Sequence, residues 1–143
     1  MLIGTYYHTL EAHGRVSLPK SFRQTHLQWV VTRGLDGGLF LFPAEQFTAE
    51  LQKLNSRSFT TKRNRDFVRL MTNEAMAVTP DKNGRVQLPE YLIEFAKLNK
   101  NLVVVGSLSR AEIWDRDAYH TYMQATESEA EAIAESLAET KHD

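Results

Sequence analysis

The chain has 143 residues, of which 42% are hydrophobic and 24% charged, with a formal net charge of −1 and no cysteine. That length suits one ordinary domain or two very small joined ones, and the missing thiols exclude a disulfide framework and a thiolate metal site. No apolar run approaches the roughly 18 residues of a membrane span, and the opening MLIGTYYHTLEAHGR has no basic then apolar leader, so neither a signal peptide nor a membrane partner is expected.

In chain order, the first informative stretch is LEAHGRVSLP, residues 10–19, which reads as a tight turn followed by a strand. PKSFRQTHL (19–27) predicts a short helix with Pro at its first position, where the missing N–H costs nothing. WVVT (29–32) is a strand, GLDGG (34–38) a loop, and LFLFPAEQF (39–47) a strand running into a helix. Phe47, Leu51 and Leu54, then Phe67, Leu70 and Met71, recur at helical spacing, which predicts two helices joined near 55–61. PDKNGRVQLP (80–89) then repeats the first turn. PEYLIEFAKL (89–98), LVVVG (102–106), SLSR (107–110) and AEIWDRDAY (111–119) repeat what followed it, offset by 70 residues at the turns and 72 at the later strands. The tail after Gln124 is rich in Ala and Glu, carries six acids against one Lys, and reads as a lightly docked or frayed helix.

Strand, turn, strand, short helix, strand, strand and helix therefore occur twice. Neither copy is long enough to bury a core alone. The expected solution is an α+β fold in which two halves, about 1–54 and 75–124, interleave into one pseudo-symmetric barrel-like unit spanning 1–124. Residues 55–74 would be a helical linker and 125–143 an acidic tail. Charge is uneven: residues 1–72 hold ten Lys/Arg against five acids, and residues 73–143 hold seven against thirteen. A basic first half permits a polyanion site without demanding one.

The turn chemistry is specific. Asn83-Gly84 is a strong hairpin signal, since both residues tolerate positive φ, and His13-Gly14 is a weaker one. Asp81 can accept from the backbone N–H groups that follow it; Glu11, one methylene longer, should do so less well. Arg15 and Arg85 each lie four residues after the acid and could merely clamp the turn, an exposed pair worth roughly 0–1 kcal/mol. Lysine would serve for that. Arginine adds a planar fork that reaches phosphates or the edge of guanine, and a two-stranded ribbon fits the DNA major groove. Clamp and nucleic-acid contact are compatible.

The paired EAHGRVSLP and DKNGRVQLP turns resemble the acid-x-x-x-Arg motif that occurs twice in the MraZ family of AbrB-like swapped-hairpin regulators. The likeness runs from MLIGTYYHTLEAHGR through LFLFP and the basic central helix to VVVGSLSRAEIWD, roughly residues 1–120, with Glu11 standing where the family usually has Asp. The resemblance implies a double-split β-barrel flanked by helices and rings of eight or more subunits. It implies binding to double-stranded DNA at short direct repeats upstream of a division and cell-wall gene cluster, with regulation, often repression, of its transcription. It places the protein in the cytoplasm, on the nucleoid. By position, Arg15 and Arg85 become the expected DNA contacts, with His13, Lys82 and Asn83 secondary and Glu11, Gly14, Asp81 and Gly84 building the turns. The alternative is an oligomeric protein-interaction or antitoxin-like module with no direct DNA readout.

The remaining features ask for less. Arg57, Lys62, Arg63, Arg65 and Arg69 read first as a solvated helix face or subunit interface, and second as a further phosphate surface. Arg33 is ambiguous in the same way. The histidines at 8, 13, 26, 120 and 142 lack metal-ligand spacing. Asp115 and Asp117 suit a helix N-terminus, and Trp29, Trp114, Phe40 and Phe42 suit a core or interface. No nucleophile elbow or P-loop is present, so no enzyme and no cofactor are expected.

Overall fold

The computed structural model describes residues 1–57 and 59–140, leaving aside the side chains of Arg57 and Thr140. His142 and the last three residues of the acidic tail lie outside the described residues. The first half runs β1 (Thr5–Thr9), a 3₁₀ turn (Ala12–Gly14), β2 (Arg15–Ser17), α1 (Lys20–Arg23), β3 (Trp29–Arg33), β4 (Leu39–Pro43) and α2 (Ala44–Arg57). After α3 (Lys62–Asn73) the pattern returns as β5 (Met76–Val78), β6 (Arg85–Gln87), α4 (Glu90–Phe95), β7 (Asn101–Gly106), β8 (Ala111–Asp115) and α5 (Arg116–Glu127), followed by α6 (Ala130–Thr140).

Six strands form one antiparallel sheet in the order β1-β7-β8-β4-β3-β5, and β2 pairs with β6 in a separate two-stranded ribbon. The order is symmetric about the β8–β4 pair, where the two copies meet. Each copy's motif strand leaves its own sheet neighbours to pair with the other copy's, so the expected α+β swapped-hairpin fold is borne out. Among the described residues the ladder does not close into a continuous barrel: β1 and β5 remain the ends of the six-stranded order, and the ribbon forms its own two-stranded ladder. Val16 and Val86 share one core cluster with Trp29, Leu41, Leu102 and Ile113, which fastens the ribbon to the sheet. Each such apolar side chain contributes about 1.5–3 kcal/mol on full burial.

The central strands lack polar alternation because both faces are covered. All five residues of β4 are buried. Phe40 and Phe42 face Met71 with Phe47, Leu51 and Phe67 of α2 and α3, while Val103, Val105 and Trp114 face Tyr119 of α5. Trp29, Trp114, Phe40 and Phe42, which suited a core or an interface, are buried in the core. The single buried polar residue among the described ones, Thr32, donates its hydroxyl proton to the Met71 carbonyl at 2.8 Å.

Helix ends depart from expectation by a residue or more. Pro19 and Pro89 sit at the N-caps rather than the first helical positions, and α1 covers only Lys20–Arg23. Helix α4 stops at Phe95 because Lys97 adopts φ 51°, letting Leu98 N–H reach the Ile93 carbonyl (3.0 Å) and Lys97 N–H the Glu94 carbonyl (3.1 Å), a Schellman ending. Asp115 caps α5, its Oδ2 accepting from Ala118 N–H at 3.3 Å. The tail breaks at Ser128–Glu129, and Ala130–Glu139 are exposed.

Candidate nucleic-acid interface

The ribbon is built around a local two-fold. Val16 pairs with Val86, Arg15 with Gln87 and Ser17 with Arg85. Beyond the strands, Leu18 N–H donates to the Gly84 carbonyl (3.0 Å) and Leu88 N–H to the Gly14 carbonyl (2.8 Å). Strand side chains alternate faces. With both valines fully buried, Arg15, Ser17, Arg85 and Gln87 face outward. The two arginines expected on separate hairpins thus stand on one shared surface. Ser17 and Gln87 join them, two residues that motif reading missed although the R-V-S and R-V-Q alternation carries the signal.

The turns flank this surface. In the first, Gly14 N–H donates to the Glu11 carbonyl (3.2 Å), and His13 and Gly14 both lie at positive φ, 65° and 75°. In the second, Gly84 N–H donates to the Asp81 carbonyl (2.9 Å), and Gly84 alone has positive φ, 79°. This inverts the expectation that Asn-Gly would be the doubly left-handed pair. The reason is Asp81, whose Oδ1 accepts from Asn83 N–H (2.8 Å) and Arg85 N–H (3.0 Å) and sets a different path. His13, Lys82 and Asn83 are exposed at the tips, and Gln87 Nε2 donates to the His13 carbonyl at 3.0 Å, tying one half to the other.

The arginines are not equivalent. Arg15 is exposed and has no side-chain hydrogen bond or ion pair among the described residues. Arg85 is half-buried, and its clamp is not chiefly the acid at i−4. Its Nη1 donates to Glu11 Oε1 at 2.9 Å, across the two halves, while Asp81 Oδ2 stands 3.8 Å from its Nε. The expected Glu11–Arg15 clamp is not formed.

Donation from Arg85 N–H holds the Asp81 carboxyl below its ordinary value of 3.8, with smaller help from Asn83 N–H and the charges of Arg85 and Arg15; desolvation opposes this. A lowered folded pKa means stability present above 3.8 and lost as pH falls through the folded value. Chemical denaturation from roughly pH 5 down to roughly pH 2 should therefore show a smaller loss of stability for Asp81→Asn than for the wild type.

The other basic positions are largely committed elsewhere. Lys62 and Arg69 pair with Asp66 at 2.6 and 3.0 Å, and Arg65 donates to the Phe59 and Thr60 carbonyls. Arg33 pairs with Glu74 at 2.6 Å and lies over the Phe95 ring at 4.5 Å, a brace between β3 and the helices. Among the described residues, no cluster of His, Asp and Glu could hold a metal ion and no helix is long and apolar enough to cross a membrane.

The family model described as "MraZ protein, putative antitoxin-like" matches the chain twice, over residues 1–70 and 71–141. The chain is 40% identical over 138 residues to the transcriptional regulator MraZ of Carboxydothermus hydrogenoformans, covering 96% of each. It is 39% identical over 138 residues to that of Moorella thermoacetica, again covering 96% of each. Against that of Acetivibrio thermocellus it is 37% identical over 139 residues, covering 96% of this chain and 97% of the relative. A duplicated chain with its motif strands paired across the repeat, matched twice by one family model and along nearly its whole length by these regulators, belongs to the MraZ family.

Proposed function

We propose that this chain is a DNA-binding transcriptional regulator, and not an enzyme, that lays the β2–β6 ribbon against duplex DNA. The observation that carries this is the outward pair Arg15 and Arg85 on one ribbon, with His13, Lys82 and Asn83 exposed at its ends. A two-stranded ribbon enters the major groove, where guanidinium groups meet guanine edges and the tips meet phosphates. Glu11, Gly14, Asp81 and Gly84 shape the turns that aim these groups.

In this reading residues 1–124 act as one unit of two halves, about 1–54 and 75–124, linked through 55–74, with 125–143 as an acidic tail. Copies assemble into a ring of eight or more, in the cytoplasm on the nucleoid. They bind short direct repeats upstream of a division and cell-wall gene cluster and repress it. Ring assembly suits a chain of net charge −1. Few cationic contacts per copy bind weakly, and linking copies over repeated boxes multiplies effective concentration without a new contact.

The test is a gel shift with the duplex upstream of this protein's own gene across a salt series. Affinity is expected to fall with a log–log slope of about −0.9 per phosphate contacted. No binding even at the lowest salt would overturn the proposal in favour of a protein-interaction module.

A further inference from the structure

Glu11 and Asp81 occupy equivalent places in the two copies, yet their carboxylates do different things. Asp81 spends its Oδ1 on its own turn, at 2.8 and 3.0 Å from the N–H groups of Asn83 and Arg85. Glu11 is longer by one methylene and its Oε1 reaches the opposite half, 2.9 Å from Arg85 Nη1. Both side chains of this pair are partly exposed, at 27% for Arg85 and 37% for Glu11, so the contact sits at the rim of the outward face where a polyanion would arrive. The other nearby acid leaves Arg85 Nε without a hydrogen bond, although that atom is buried.

We propose that Glu11 is a specificity-determining residue whose carboxylate occupies the Arg85 guanidinium in place of a DNA phosphate, releasing it only to a duplex that positions a better acceptor. This rests on the DNA-binding reading above and deepens it. An arbitrary duplex meets Arg15, whose charge is available, and an Arg85 already neutralised. Its phosphates must compete with a carboxylate held in place by the turn. A matched site offers Arg85 a paired acceptor, such as the two acceptors on a guanine edge, which takes two of its N–H groups where Glu11 takes one. Glu11 therefore penalises the wrong partner more than the right one, which is how a repulsive element raises a ratio of affinities. Symmetry locates the cause: a shorter acid at position 11 would turn back to its own backbone, as Asp81 does.

The test compares wild type, Glu11→Gln and Glu11→Asp on two duplexes of equal length, one from upstream of the gene and one scrambled, over a salt series. Glu11→Gln should bind the scrambled duplex roughly tenfold more tightly, with a salt slope steeper by about 0.9, corresponding to one further phosphate contact. The preference for the matched duplex should fall accordingly. Glu11→Asp keeps the charge but withdraws it from Arg85, so it should move the same quantities less far; it also decides the matter if the Gln variant does not fold. An unchanged preference and slope in the folded variants, or an equal change on both duplexes, would overturn the role of Glu11 while leaving DNA binding in place. Wild type that binds neither duplex would overturn both.

Discussion

Arg15→Ala is expected to cost about 1–3 kcal/mol of DNA binding per subunit, a fall of roughly 5- to 150-fold, while leaving thermal stability unchanged. Both halves of that expectation come from where the side chain stands. Arg15 points outward from the ribbon beside a fully buried Val16, is exposed, and among the described residues holds no hydrogen-bond or ion-pair partner whose loss would unpair a group inside the protein. Removing it deletes a cation from the ribbon's outward face and little else. In the proposed assembly, which engages several boxes at once, the loss recurs in every copy, so the gel shift should all but vanish. Arg85→Ala should weaken binding less and destabilise more, because it strands Glu11 and takes a charge from beside Asp81. A melt showing Arg15→Ala as unstable as Arg85→Ala would contradict this division of labour.

The second large effect concerns the backbone. Gly14→Ala should lower stability by about 3 kcal/mol, or roughly 6–12 °C in melting temperature, with the Gly84→Ala loss near half of that. Both glycines sit at positive φ, 75° and 79°, where a side chain alone costs about 1–2 kcal/mol. The surroundings separate them. A Cβ at position 14 would stand 2.8 Å from the Leu88 carbonyl oxygen, a backbone atom in the ribbon's own hydrogen-bonded frame. At position 84 it would meet the Arg23 guanidinium at 2.5 Å, the end of a flexible side chain that can swing away from its 3.3 Å bond to the Leu18 carbonyl. Equal melting temperatures for the two variants would show that the clash at Leu88 is relieved more easily than the geometry implies.

Much of this architecture was legible in the residues. A repeated turn with its flanking strands and helices announces duplication, and chains too short to bury a core alone must interleave. The strands at 29–33, 39–43 and 101–106 carry their apolar runs openly, and the break between α2 and α3 falls inside the window expected for it. What stayed hidden was pairing over distance. No local pattern says that Arg85 will bond Glu11, 74 residues away, instead of the acid at i−4, because that choice depends on side-chain reach across a ribbon joined only in three dimensions. Turn conformation failed for a related reason. Asn-Gly propensity favours two left-handed residues, but the Asp81 carboxylate captured two N–H groups and overrode it. Helix lengths shifted where Lys97 turned left-handed, a tertiary choice that a lysine does not advertise.

The ribbon also has a consequence for how the molecule is made. Its partners Ser17 and Arg85 lie 68 positions apart in the chain, and the last bond of the frame waits for Leu88. Contacts of such long range close late, after the local hairpins and helices have formed. A nascent polypeptide halfway through synthesis therefore carries Arg15 but not the β6 strand it pairs with, and the proposed DNA-contacting face arrives only with the completed fold.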